Sequence, residues 1–139
     1  MAKTNIDRFD EMSAAIVAFL YDRFPAREYV SPEIAGLSVP EYGPYDPETG
    51  GNKIISGEID PETPFFGSTL SWLAEAEVLI ERENRHFSNT YTLTASTMKC
   101  LRRYSQGEGG ETFGVMLSES IRNGDKEAAA AILNQALTT

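Results

Sequence analysis

Apolar residues recur at spacings of three and four from Phe9 through Met12, Ile16, Phe19, Leu20 and Phe24, one stripe on a 3.6-residue period. The spacing predicts a long amphipathic helix over 5–24. Asp7, Asp10 and Glu11 fall in its first turns, where the helix dipole favours negative charge, and Pro25 ends it. Tyr29 and Val30 suit a very short extended piece. Ser31-Pro32-Glu33 then opens a short second helix, a capping hydroxyl followed by proline at the first helical position, which ends near Gly36 and Leu37.

Between 38 and 62 the periodicity disappears. Pro40, Pro44, Pro47 and Pro61 alternate with Gly43, Gly50, Gly51 and Gly57 among six carboxylates, Glu41, Asp46, Glu48, Glu58, Asp60 and Glu62. The expectation is a long acidic loop, least protected from proteolysis, with Lys53–Ser56 the best candidate for a short strand. Thr63-Pro64 repeats the cap-then-proline signal, and Phe66, Leu70, Leu73 and Ala74 follow at helical spacing, with Trp72 expected in the same core. Val78, Leu79 and Ile80 start a hairpin whose polar tip holds Asn84, Arg85, Ser88 and Asn89. On its return Phe87, Tyr91 and Leu93 alternate, which predicts one shared, less exposed face. Thr94 can cap a further helix with Met98, Leu101 and Tyr104 inward. After a glycine-rich break at 106–110, two helices are predicted over 112–122 and 125–137, with Asn123-Gly124 ending the first and Asp125 capping the second.

These elements amount to an α+β chain, mostly α. At 139 residues it is long enough to bury one real core. The longest apolar run, Ala14–Tyr21, is far short of a bilayer span, and no signal-peptide core follows Met1, so a soluble, cytoplasmic protein with no membrane contact is expected. The net charge of −9 repels nucleic acid and anionic lipid as a whole. It is unevenly spread: residues 1–62 carry −7, residues 63–104 carry +1 and residues 105–139 carry −3.

Candidate chemistry is sparse. One His and one Cys argue against structural zinc, and His86 with Cys100 lacks the orienting group and oxyanion site that nucleophilic catalysis needs. Asp46-x-Glu48 with Gly50 and Gly51 has some features of a calcium loop but not its twelve-residue spacing. Gly107, Gly109 and Gly110 precede a helix, as phosphate-cradling loops do, but no Lys-Ser/Thr follows. No enzyme and no cofactor is expected.

Leu70-Ser71-Trp72-Leu73-Ala74-Glu75-Ala76-Glu77-Val78-Leu79-Ile80-Glu81-Arg82 resembles a recognition helix running into the first wing strand of a winged helix-turn-helix domain. Tyr91-Thr92-Leu93-Thr94-Ala95-Ser96-Thr97 resembles the returning strand and the L-T-x-x-G that opens the next helix in bacterial winged-helix repressors. Phe66–Leu73 is also similar to uncharacterised bacterial winged-helix proteins. The resemblance covers 6–104 as an order of elements and 70–102 as a motif. It implies a winged-helix domain over 1–104, interrupted by the long acidic loop. Residues 105–139 then form an extension of two extra C-terminal helices, packed on that domain or on a second subunit.

Three departures separate the chain from that pattern. Glu77 and Val78 replace the wing glycine, Thr97 replaces the glycine of L-T-x-x-G, and the third helix offers Ser68, Ser71 and Glu75 but no Lys or Arg before Arg82. The expected function is therefore a non-enzymatic winged-helix module acting through protein–protein contact, with another protein or with itself. The alternative is a DNA-binding regulator contacting DNA through Ser68, Ser71, Arg82, Arg85 and Lys99. A homodimer is expected through Phe113, Met116, Leu117 and Ile121 on one terminal helix and Ile132 and Leu133 on the other.

Overall fold

The computed structural model describes residues 3–106 and 110–138. In chain order these hold α1 (Asn5–Arg23), a 3-10 turn (Pro32–Ala35), β1 (Glu41–Asp46), β2 (Gly51–Ser56), α2 (Thr63–Glu75), β3 (Leu79–Arg82), β4 (Thr90–Leu93), α3 (Ala95–Leu101), α4 (Phe113–Arg122) and α5 (Lys126–Thr138). The strands pair as two separate antiparallel hairpins, β1–β2 and β3–β4, so the fold is α+β and about half helical. Among the described residues no helix is long and apolar enough to cross a membrane.

Thr4 and Asp7 start α1 with a capping box: the Asp7 N–H donates to Thr4 Oγ1 and the Thr4 N–H to Asp7 Oδ2, each at 3.1 Å. The expected single stripe is too narrow a description of this helix. Residues 12–18 are buried without a break, because α2, the 3-10 turn, β4, α4 and α5 all pack on it. Ser13, Ala14, Ala15 and Ala18 let those neighbours approach from every side, as a helix buried all round requires. The predicted second helix contracts to the 3-10 turn. The Glu33 N–H donates to Ser31 Oγ at 3.3 Å, and Gly36 closes the turn in the left-handed region.

The acidic segment is not a structureless loop. Lys53–Ser56 lies within β2, and β1 pairs with it across irregular steps on either side of Tyr42, so 41–56 form a hairpin arm. Periodicity was silent here because the arm has no buried face. Of Tyr42, Tyr45, Ile54 and Ile55, none is less than 47% exposed. Asp60 fastens the arm's base, accepting from the Ser38 N–H at 3.2 Å and the Glu62 N–H at 2.9 Å. Those two donors hold its carboxyl below the usual carboxylate range.

Thr63 sits inside α2 rather than capping it; Glu62 is the cap residue and makes no side-chain cap bond. The other end is better built. The Val78 N–H donates to the Leu73 carbonyl at 3.0 Å and the Glu77 N–H to that of Ala74 at 3.1 Å, a Schellman closure. Such a closure puts Glu77 at φ 63°, the left-handed position where a glycine is usual. Glu77→Gly is therefore expected to stabilise the protein. Relief of about 1–2 kcal/mol of left-handed strain outweighs the added chain entropy of glycine, leaving a net gain of about 0.5–1 kcal/mol. A higher urea midpoint at unchanged slope is the expected readout; a lower one would show that the Glu77 side chain contributes more than its backbone costs. Thr97 has its own use: buried, its hydroxyl donates to the Val78 carbonyl at 2.9 Å, while the Thr94 hydroxyl donates to the Glu77 carbonyl at 2.8 Å.

On the second hairpin Tyr91 and Leu93 are buried as the alternation predicts, but Phe87 is not their companion. It lies in the tip, 77% exposed. Thr92, on the opposite face, is also buried, and Glu28 bridges the outer edge of β4 through two backbone hydrogen bonds with Tyr91. The extended piece near Tyr29 thus lends a third strand position to this hairpin.

Thr94 and Asp125 cap α3 and α5 as expected, Thr112, expected inside the helix, caps α4, and Gly124 ends the turn after α4 at φ 75°. Leu101 points into the core and Met98 is half-buried, but Tyr104 is exposed, a correction to its expected inward placement. The terminal helices pack on each other and on α1. Their stripes are used within one chain: Phe113, Leu117 and Leu133 are buried in the same core as Ile16 and Leu20. Of the six residues expected at an interface between copies, these three are buried within the single chain, and Met116, Ile121 and Ile132 are half-buried. Polar contacts add to the clasp. The Ser118 hydroxyl donates to Asp22 at 2.7 Å, and the Arg103 guanidinium donates to the Ala136 carbonyl.

Candidate functional site

Helix α2 buries Phe66, Thr69, Leu70 and Leu73 and turns Ser68, Ser71, Trp72 and Glu75 outward. Trp72 was expected in the core; it is 55% exposed. Phe9 meets it edge-on with ring centroids 5.2 Å apart, which fixes the indole against α1 while leaving much of it open. Ile6, one turn before Phe9, is also exposed. Glu75 is the only charged residue on the whole of α2.

The expected cations do not form one patch. Arg82 at the end of β3 and Arg85 at the hairpin tip share a groove of about 310 Å³ with Glu83, Asn84, Thr90 and Arg27. Sequence reasoning missed Arg27, which is far from the hairpin along the chain and is brought there by the Glu28–Tyr91 bridge. Lys99 lies instead on α3, where it lines a separate cleft with Arg102, Arg103, Phe24 and Tyr104. Ser68 and Ser71 are exposed on α2 itself.

At the hairpin's foot the Tyr91 hydroxyl donates to Glu81 Oε2. Burial first, and then the neighbouring Glu81 carboxylate, push the phenol well above its ordinary value, so it remains a proton donor and not a base. His86 is exposed in the tip and Cys100 is half-buried on α3. No group of three or more His, Cys, Asp or Glu positioned to share a metal ion occurs among the described residues. Asp46, suggested for calcium, accepts from the Glu48 N–H at 2.9 Å in the turn of the arm. Of the suggested phosphate loop, Gly107 and Gly109 lie outside the described residues, and Gly110 is exposed.

The arm adds a second apolar surface. Tyr42 pairs with Ile54 and Tyr45 with Asn52, so all four side chains share one face of the hairpin. Compared with known proteins, the chain matches no family model, no curated sequence and no solved structure.

Proposed function

We propose that this chain is a non-enzymatic winged-helix module that works by protein–protein contact. Support for the fold comes from the order helix, edge bridge, turn, helix, hairpin, helix, with the β1–β2 arm standing as an insertion before α2. The observation that carries the function is on α2, which offers the solvent a half-exposed tryptophan braced edge-on by Phe9, and no cation. Groove-reading helices rely on Arg, Lys, Asn or Gln at that face, whereas exposed Trp is the side chain most enriched where interfaces concentrate their binding energy. The partner in this reading is another protein or a second copy of the chain, met through Trp72 and the aromatic arm.

Phosphate contact is the second reading, favoured by Arg27, Arg82 and Arg85 around one groove. One set of measurements separates the two. A photo-crosslinking residue beside Trp72 identifies the partner in cells, and the purified pair is then titrated. Trp72→Ala is expected to weaken that complex by about 30-fold or more. The reading is overturned if Trp72→Ala binds normally while the chain binds random duplex DNA at moderate salt and loses it in the triple variant R27A/R82A/R85A.

A further inference from the structure

A cleft of about 450 Å³ opens on the side of α1, where its first turns meet the 3-10 turn and the connection between α4 and α5. Its floor is apolar: Met12 and Ala15 are buried beneath it, and Ile34, Leu37 and Ile121 form half-buried walls. The volume lies within the range of pockets that hold small molecules. The rim is charged, and most of that charge is already matched. Lys3 pairs with Glu11 at 2.8 Å, and Arg8 with Glu62 at 2.7 Å. Arg8 is further engaged by the Phe65 ring, 4.2 Å below its guanidinium.

Two rim charges of opposite sign remain. Among the described residues the Lys126 ammonium and the Glu33 carboxylate make no ion pair or side-chain hydrogen bond, with each other or with a third group. Lys126 Nζ stands over Gly36, 3.5 Å from where a β-carbon would be, which keeps the ammonium at the mouth of the cleft. A simple anion would meet three carboxylates around this rim and a chain of net charge −9; a simple cation would leave Lys126 unmatched and meet three ammonium or guanidinium groups. A ligand bearing both signs on an apolar body matches what is left over.

We propose that this cleft binds a small apolar zwitterion, a free apolar amino acid or a dipeptide, with its carboxylate on Lys126, its ammonium on Glu33 and its side chain against Met12, Ile34 and Ile121. The site is separate from the Trp72 face and does not depend on the function assigned to it. The two ligand sizes share one chemistry. An extended dipeptide separates its charges by one residue more, about 3.3–3.6 Å, so whichever binds more tightly reports the spacing of the two rim groups.

The test titrates the full chain with L-phenylalanine and with L-phenylalanyl-L-leucine, following backbone amide shifts. Phenethylamine and 3-phenylpropanoate serve as ligands that each lack one charge. Saturable shifts centred on 33–37 and 121–126 are expected for at least one zwitterion, weakened about tenfold or more by Lys126→Met and by Glu33→Gln. Both substitutions lie on the exposed rim, so the fold is retained and the spectra remain assignable. The proposal is overturned if neither zwitterion saturates by about 10 mM. It is equally overturned if the singly charged ligands bind as well as the zwitterions, or if the two rim variants bind like the parent.

Discussion

Leu117→Ala is expected to lower the unfolding free energy by about 3 kcal/mol, within the range of about 2–5 kcal/mol for removing a buried leucine side chain to the β-carbon. Leu117 is fully buried where α4 meets α1 and α5, with no solvent-facing side to absorb the cavity. For a domain whose whole stability is about 5–15 kcal/mol, that is a large share, and the melting temperature should fall by about 10 °C. The same experiment decides what the terminal helices are for. As an intramolecular clasp they produce a loss that is the same at every protein concentration. If Leu117 instead lined an interface between copies, the loss would be absent at high dilution, where parent and variant are both monomeric, and would grow to a plateau as concentration rises. Melting curves of parent and variant over a wide dilution range distinguish these outcomes, and a loss that vanished at the dilute end would return the helices to a dimer.

Gly114→Ala carries the second large effect. Alanine would ordinarily stabilise a helix interior by about 1 kcal/mol relative to glycine. Here a β-carbon at position 114 would fall 2.3 Å from Cε1 and 2.5 Å from Cζ of Tyr21, so α4 rests directly on the tyrosine ring. Gly114 is buried and Tyr21 is half-buried, and the ring can escape only by leaving its packed position. Overpacking of this kind typically costs about 1–3 kcal/mol, so the net change is expected to be destabilising. Tyr21→Ala removes the obstacle. In that background the sign should reverse, with Gly114→Ala giving back about 0.5–1 kcal/mol. A double-mutant cycle by urea denaturation measures both. Equal effects of Gly114→Ala in the two backgrounds would show that the ring is not what demands glycine there.

What could be read from the chain beforehand follows the physics of each segment. Caps made by one hydroxyl or carboxylate a few residues from its donor are local, and those read at Ser31, Thr94 and Asp125 hold, while the one read at Thr63 does not. So does the left-handed ending at Gly124. Burial pattern is different, because it depends on what arrives from elsewhere. The α1 stripe gives only the strongest face of a helix enclosed on all sides, and the alternation in β4 fails at Thr92, which is buried although it lies on the face opposite Tyr91 and Leu93. Trp72 was misplaced for a related reason: its apolar neighbours along α2 face inward, while its own contact, Phe9, comes from another helix. The candidate surface shows the same limit. Arg82 and Arg85 are near neighbours in sequence, but only the bridge to the hairpin brings Arg27 beside them, and the separation of Lys99 follows from the direction α3 takes after Thr94.

The clasp at Asp60 has a consequence for how this protein can vary. Because Ser38 and Glu62 meet on one carboxylate, the chain leaves the body and returns at a single point, and all of 41–56 lies beyond that point. The closure entropy of such an excursion rises only slowly with its length, by about 0.6 kcal/mol per doubling. The arm can therefore lengthen, shorten or exchange its aromatic residues with little effect on the core that holds α1. The aromatic arm and the core's stability are thereby placed in different parts of the chain, and drift in one leaves the other largely untouched.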